Sequence, residues 1–241
     1  MPSYELIPFD DPAALAEAVA EAWLTTLASN ERENRPYLVA LSGGRIAGNF
    51  FAAIARKAKQ HKQSLAYVHF FWADERGVPP DDAESNFKLA SVSLFQPLGI
   101  SADHIHRIRG ELAPNEAALN AATELASLTF GFAHGQPVLD LVFLGMGEDG
   151  HIASLFPDLT EKKIKSKDAY VAVVAGKPPP QRISLTYAAI SAAKEVWVLA
   201  SGPGKVEALQ LSLGLNGQTP LARLLGMRRQ TRIFSDIKLA P

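Results

Sequence analysis

The sequence predicts a three-layer α/β protein in which helices flank a mostly parallel sheet. Short apolar runs, typical of strands buried in a parallel sheet, alternate along the chain with segments of helical periodicity. Several of these runs end in glycine-rich or charged loops, as strands of open α/β sheets do beside a ligand site. No repeat or interdomain linker interrupts the pattern, so we expect one domain over residues 1–241.

The elements follow this alternation in order. Asp10-Asp11-Pro12 predicts a helix start, because Asp can accept hydrogen bonds from free amides and Pro suits the first turn. The helix that follows carries apolar residues at helical spacing as far as Leu27. Further helices are predicted over about 46–59 and 115–130, and strands over 37–41, 67–72, 138–144, 169–175, 195–200 and 232–234.

Composition excludes several classes of function. The formal net charge is −1, with 24 basic and 25 acidic residues, so no global field favours nucleic acid or membrane. The chain has no cysteine, which excludes disulfides, thiolate catalysis and cysteine-based zinc sites. Neither a signal sequence nor an apolar run near the ~18 residues of a membrane span is present. We expect a cytoplasmic protein without nucleic-acid or membrane partners.

The loop over residues 145–157 is the strongest candidate for chemistry. It follows a predicted buried strand, and its three glycines permit tight turns and close approach to a ligand. The loop carries one imidazole, His151, preceded by the carboxylates of Glu148 and Asp149. His151 is therefore a candidate general base, and either carboxylate is a candidate to orient it.

Other loops offer groups for an anionic ligand. Ser42-Gly43-Gly44-Arg45 joins a strand to a helix, whose first amides could hold a phosphate, although a turn with packing glycines is an equal alternative. Arg76 follows another strand within Asp74-Glu75-Arg76, where a salt-bridged surface loop is the alternative. Arg182 and Lys205 are further cations near predicted strand ends.

Common motifs are incomplete here. Gly204-Lys205 lacks the Ser or Thr of a P-loop, because Val206 follows. Gly145-x-Gly147-x-x-Gly150 fits a dinucleotide fingerprint, but Pro157 interrupts the helix that should follow. His104 and His106 have no clear third metal ligand, and no Gly-x-Ser-x-Gly elbow occurs.

The motifs in their order resemble the family that contains 6-phosphogluconolactonases and glucosamine-6-phosphate deaminases. The resemblance rests on Asp74-Glu75-Arg76-x-Val78-Pro79 with Ser85-Asn86, the loop over 145–157, Arg182-Ile183-Ser184-Leu185-Thr186 and Gly202-x-x-Lys205. One departure lies in the first loop, where Arg45-Ile46-Ala47 replace the hydroxyl residues and proline usual in the family. Arg45 either supplies a charged contact in their place or points into solvent.

The resemblance implies a modified Rossmann-like sheet and a sugar-phosphate hydrolase that needs no cofactor or metal. The expected reaction is hydrolysis of 6-phospho-D-glucono-1,5-lactone to 6-phosphogluconate in the pentose phosphate pathway. Ser154-Leu155-Phe156 stands where the deaminases carry Asn-Glu, which favours the lactonase. A deaminase-like isomerase and a non-catalytic sugar-phosphate sensor are the alternatives. Sensors usually carry a helix-turn-helix module, for which we expect no room at either end.

The same resemblance implies roles for individual residues. His151 would activate water, with Asp149 or Glu148 orienting its ring. The partner would be a phosphorylated sugar lactone, and we expect a monomer or a weak homo-oligomer. The expected substrate-binding residues are Ser42, Gly43, Gly44, Arg45, Asp74, Arg76, Asn86, Gly147, Arg182 and Lys205.

Overall fold

The computed structural model describes residues 4–30 and 35–239. Its strands are β1 (Glu5–Pro8), β2 (Tyr37–Leu41), β3 (Val68–Trp72), β4 (Asp74–Arg76), β5 (Phe132–Ala133), β6 (Gln136–Pro137), β7 (Leu141–Gly145), β8 (Tyr170–Val174), β9 (Gln181–Leu185), β10 (Glu195–Ala200) and β11 (Arg232–Ser235). Its α-helices are α1 (Pro12–Asn30), α2 (Arg45–His61), α3 (Asn86–Ala90), α4 (Gln96–Leu98), α5 (Pro114–Leu128), α6 (Glu161–Ile164), α7 (Tyr187–Ala192), α8 (Val206–Leu213) and α9 (Pro220–Met227).

Six of the strands form a parallel sheet in the order β1-β11-β10-β7-β2-β3. The chain runs outward from β2 to β3 on one side and from β7 through β10 to β11 on the other. Strand order therefore reverses between β2 and β7, and such a reversal opens a crevice beyond the carboxyl ends of the two strands. The predicted α/β class with a mostly parallel sheet is confirmed.

A second, three-stranded antiparallel sheet in the order β4-β9-β8 corrects part of the prediction. The strand expected at 169–175 is present as β8, but it lies in this sheet. Segments β4 and β9 were expected to be loops, and β1 was not predicted. Strand β4 lacks a recognisable strand pattern because its residues are charged, and β9 because three prolines precede it. Polar side chains of both strands serve the cleft described below.

The large sheet is held by an aromatic core centred on β7. The ring of Phe143 lies 5.5 Å from that of Trp23, 4.7 Å from that of Phe50 and 5.6 Å from that of Trp197. All four side chains are buried. Truncation of such a residue typically costs about 3–5 kcal/mol of stability. This packing holds the strand from which the glycine-rich loop departs.

Buried polar contacts join β2 to the chain entering β7. The Asp140 carboxylate accepts hydrogen bonds from the Leu38 amide at 2.9 Å and from Arg35 at 2.7 and 2.9 Å, and it pairs with Lys194 at 2.8 Å. Burial opposes ionisation of Asp140, but these contacts outweigh it and lower the pKa of the carboxyl. The carboxylate therefore fixes the two strands at the end opposite the crevice.

Helix α1 begins as its sequence predicts. The Asp11 carboxylate accepts hydrogen bonds of 2.8 Å from the amides of Ala13 and Ala14, which satisfies two donors of the first turn. Helix α2 begins differently, because Gly44 adopts a φ of 98° and no side chain caps the helix. The first amides of α2 are thus left free of side-chain acceptors. Among the described residues, no helix is long and apolar enough to cross a membrane.

Candidate active site

A cleft opens where β2 and β7 diverge, and most of the predicted site residues line it. The Ser42 hydroxyl donates a 2.9 Å hydrogen bond to the Phe143 carbonyl, so this side chain closes the floor between the two strands. The lining residues are Ser42, Gly43, Gly44, Arg45, Ile46, Asp74, Arg76, Asn86, Gly145, Met146, His151, Ala153, Ser154, Phe156, Lys177, Arg182 and Lys205.

Asp149 and His151 form a coupled pair beside the cleft. Asp149 Oδ1 lies 2.5 Å from His151 Nδ1 and also accepts a 3.1 Å hydrogen bond from the His151 amide. Although burial opposes ionisation, the backbone amide and the charge of His151 lower the pKa of Asp149. An ionised carboxylate at Nδ1 selects the tautomer that carries its proton there. Nε2 is then the basic nitrogen of a side chain that lines the cleft.

The glycines of the loop make this arrangement possible. A side chain at Gly147 would overlap the His151 imidazole, so only glycine leaves room for the ring. The Gly147 amide donates to the His151 carbonyl at 2.8 Å, and the Gly150 amide donates to the Gly147 carbonyl at 3.1 Å. Gly147 was predicted to bind substrate; its amide is occupied inside the loop, and it does not line the cleft. These two amides are therefore not free to act as oxyanion donors.

Glu148 lies apart from the imidazole. Its Oε1 atom is 3.7 Å from Arg45 Nη2, and both side chains are largely exposed. The sequence left open which acidic neighbour orients His151; in the structure Asp149 makes that contact and Glu148 does not. Arg45 lines the cleft mouth at the first residue of α2, where a cation opposes the helix dipole.

Arg76 and Arg182 bring two positive charges to one wall. They are directly paired in the antiparallel register of β4 and β9, and Arg182 is 5% exposed. Arg182 Nε donates to the Pro179 carbonyl at 2.8 Å, and Arg76 donates to the Glu84 carbonyl. Burial, together with the neighbouring Arg76 charge, lowers the pKa of Arg182. Like charges directly opposite each other destabilise a sheet, so this wall is built for an anion.

Asp74, Asn86 and Ser154 form a buried polar network at the cleft. Ser154 Oγ donates to Asp74 Oδ2 at 2.7 Å, and Asn86 Nδ2 donates to the Asp74 carbonyl at 2.8 Å. A side chain at Gly43 would overlap the Asn86 amide, which therefore packs directly on the glycine backbone. Glu75, next to Asp74, instead accepts from the amides of Asn86 and Phe87 at 2.8 Å and so holds the start of α3.

Lys205 completes the cationic lining from the far side. It ends a 3₁₀ turn, Pro203–Lys205, between β10 and α8. Burial lowers the pKa of Lys205, and the nearby charge of Arg45 acts in the same direction. An anionic ligand beside Lys205 would favour its charged form.

Sequence reasoning missed one cation of the cleft. Lys177 lines it from the loop between β8 and β9, which the sequence indicated only as a rigid proline segment. The loop is tied back by the 2.7 Å hydrogen bond from the Ala175 amide to the Pro180 carbonyl. A lone exposed lysine beside prolines has no pattern that distinguishes it from a solvated one.

The histidines considered as metal ligands lie elsewhere. His106 Nε2 is 2.8 Å from His69 Nδ1, and its Nδ1 is 2.8 Å from Glu124 Oε1. The His69 ring stacks on His104 at 4.5 Å between centroids. Across residues 4–30 and 35–239, no group of three or more acidic or histidine side chains is arranged to hold a metal ion.

Comparisons with known proteins agree with the geometry. Residues 10–233 match the family model described as glucosamine-6-phosphate isomerases/6-phosphogluconolactonase. A 6-phosphogluconolactonase of Streptomyces coelicolor is 33% identical over 93% of this chain and 89% of its own length. One from Haemophilus influenzae is 37% identical over 84% and 86%. The structure of 6-phosphogluconolactonase from Trypanosoma cruzi superposes with a TM-score of 0.86 at 26% identity, covering 98% of this chain and 96% of that one. The protein therefore belongs to the family of glucosamine-6-phosphate isomerases and 6-phosphogluconolactonases.

Proposed function

We propose that this protein hydrolyses 6-phospho-D-glucono-1,5-lactone to 6-phosphogluconate, with His151 as the general base. The observation that carries the proposal is the Asp149–His151 pair at a cleft lined by five cations from five segments of the chain. A phosphorylated lactone suits such a cleft. Its anionic phosphate group binds cations, and the carbonyl carbon of its uncharged ring is attacked by an activated water. The lactonases named above support this assignment of substrate.

The chemistry needs one proton carrier. His151 Nε2 takes a proton from water while the water oxygen attacks C1 of the lactone, and the carbonyl becomes a tetrahedral oxyanion. The oxyanion then collapses, the bond between C1 and the ring oxygen breaks, and His151 returns the proton to that oxygen. Asp149 stabilises the imidazolium that exists between the two steps.

Oxyanion stabilisation falls to donors outside the Gly147–Gly150 turn. The amides of Gly147 and Gly150 are already engaged within their loop. The start of α2 has no side-chain cap, and Gly44, Arg45 and Ile46 line the same cleft, so their amides lack side-chain acceptors there. These amides are available either to the oxyanion or to the phosphate.

The cations set affinity for the phosphate. Arg182 is buried without a carboxylate within ion-pair distance among the described residues, and Arg76 lies beside it. A charged hydrogen bond contributes about 1.5–3 kcal/mol, so two or three such contacts are enough to select a phosphorylated sugar. Lys205, which also lines the cleft, adds a third charge.

The isomerase branch of the family is the alternative. Its aldose–ketose chemistry moves a proton between carbon atoms and requires a further acid/base carboxylate in the Asn-Glu region after the glycine loop. Here Ser154 occupies that region, and its hydroxyl is bound to Asp74. This difference favours the lactonase.

The deciding experiment measures lactone opening and ammonia release with one preparation. The lactone is generated in situ and its spontaneous opening is subtracted. We expect opening far above background, a fall in kcat of roughly 10²–10⁴-fold in His151→Ala, and no ammonia from glucosamine 6-phosphate. Ammonia release without accelerated lactone opening would assign the isomerase function instead.

A further inference from the structure

Glu148 is the one acidic residue of the glycine-rich loop that the mechanism does not use. Its side chain extends away from His151 towards the first residue of α2, and its Oε1 atom lies 3.7 Å from Arg45 Nη2. A Cβ atom added to Gly204, the residue before Lys205, would lie 2.9 Å from the same oxygen. The carboxylate therefore lies between Arg45 and the turn that carries Lys205.

The surroundings of Glu148 carry an excess of positive potential. Helix α2 points its N-terminus at the cleft, has no acidic residue in its first turn and has no side-chain cap. Arg45 adds a full charge at that terminus, where the helix dipole already favours an anion. Lys205 and Lys177 line the same cleft. An empty site of this kind favours any anion within reach.

Two carboxylates, those of Glu148 and Asp236, oppose the fall in the pKa of Lys205. Asp236 is already engaged, because it accepts hydrogen bonds from the Ser201 hydroxyl at 2.9 Å and from the Gly202 amide at 3.1 Å. Those bonds hold the turn that carries Lys205. The Glu148 side chain, by contrast, makes no hydrogen bond among the described residues, and its one ion pair there is the exposed one with Arg45.

We propose that Glu148 is a resident counter-ion of Arg45 at the mouth of the cleft and that the phosphate of the ligand displaces it. The proposal rests on the proposed function in one respect, since it takes the ligand to be a phosphorylated sugar. Arg45 exchanges one anionic partner for another when the ligand enters. When product leaves, Glu148 returns to Arg45, so Arg45 keeps an anionic partner throughout.

The exchange makes Glu148 an affinity-determining residue. Every phosphorylated ligand has to compete with the Glu148 carboxylate. This competition weakens the binding of substrate and the binding of product to the same degree. Because both side chains are exposed, the competition is modest: an exposed ion pair amounts to a factor of about two to five in affinity. Salt screens exposed charges, so the competition fades as ionic strength rises.

The test compares Glu148→Gln with the unmodified protein in calorimetric titrations with 6-phosphogluconate. Glutamine keeps the size of the side chain and removes its charge. At low ionic strength we expect about threefold tighter binding in the variant. The gain should shrink at high salt and be absent for gluconate, which has no phosphate. Unchanged or weaker binding of 6-phosphogluconate by Glu148→Gln would overturn the proposal.

Two further variants separate the pairing from a general change of charge. Glu116→Gln removes a carboxylate from an exposed position in α5 that does not line the cleft, and it should bind as the unmodified protein does. In an Arg45→Met background the gain from Glu148→Gln should be smaller, and an undiminished gain would contradict the exchange. A preparation that binds in this way but does not open the lactone would refute the proposed reaction and leave the counter-ion intact.

Discussion

Arg76 and Arg182 face each other directly across β4 and β9, with Arg182 almost fully buried. No carboxylate within residues 4–30 and 35–239 lies at ion-pair distance from Arg182, whereas Arg76 has Glu84 at 3.6 Å. A buried charge beside a like charge costs stability unless a partner arrives. The pair therefore destabilises the ligand-free protein, and a bound anion would relieve this destabilisation.

Arg182→Met should separate binding from stability. We expect KM for the lactone to rise about 10- to 100-fold, the equivalent of one charged hydrogen bond. The melting temperature should stay the same or rise, because the variant removes a buried, repelled charge. Arg229→Met, which removes an exposed arginine outside the cleft, is the matched control. A lower melting temperature with unchanged KM would assign Arg182 a purely structural role.

Asp149→Asn should impair the chemical step more than binding. The amide keeps the shape of the side chain but removes the charge that stabilises the His151 imidazolium. We expect kcat to fall by roughly 10²–10⁴-fold with a small change in KM. Steady-state kinetics corrected for spontaneous lactone opening measure both values. Glu148→Asn should not reproduce this fall in kcat, and an equal loss in the two variants would refute the assignment of Asp149.

Gly147→Ala should reduce activity without unfolding the protein. The added methyl group overlaps the imidazole of His151, so the ring has to leave its position against Asp149. Misplaced catalytic groups of this kind cost on the order of 10²-fold in rate. Gly131→Ala is the control, because a Cβ atom there meets no atom within 4 Å and the residue has no positive φ. Equal kcat in the two variants would show that the loop relaxes around the methyl group.

Asp140→Asn should make the free energy of unfolding vary less with pH in the acid range. The pKa of Asp140 is lower in the folded protein than in the unfolded chain, where it is about 3.9. Its carboxylate therefore stabilises the fold above that pH, and this stabilisation is lost as the pH falls through the pKa of the folded state. At pH 7 we expect Asp140→Asn to cost about 3 kcal/mol, and the difference from the unmodified protein should narrow below pH 4. Urea unfolding at a series of pH values measures this, with exposed Asp103→Asn as the control. A difference that stays constant down to pH 3 would contradict the assignment.

Periodicity predicted five of the six strands of the large sheet because their residues are mostly buried, whereas both ends of β1 are exposed. The bounds of β2 and β10 match the predictions at 37–41 and 195–200, and every residue of β2 is buried. Strand β7 begins at Leu141, three residues later than predicted, because Asp140 turns to its ion pairs before the strand starts. Where every side chain of a strand packs into the core, the pattern of apolar residues is sufficient to predict the strand.

Strands β4 and β9 of the small sheet could not be predicted because their residues serve the cleft. Asp74 and Arg76 line the cleft and do not pack into a continuous apolar core, so β4 lacks the apolar alternation of a strand. Strand β9 likewise carries Arg182 and Ser184. The contact partner of His151 was also undetermined, because turn geometry and not spacing decides between adjacent carboxylates.

The bond from Ser42 to Phe143 joins residues 101 positions apart, and that from Ser154 to Asp74 joins residues 80 apart. These two contacts, unlike the local Asp149–His151 pair, form only after large loops have closed. During synthesis, a nascent chain that already carries His151 still lacks Arg182 and Lys205. Lactone turnover would therefore report completed folding: refolding monitored by activity should lag behind refolding monitored by helix formation.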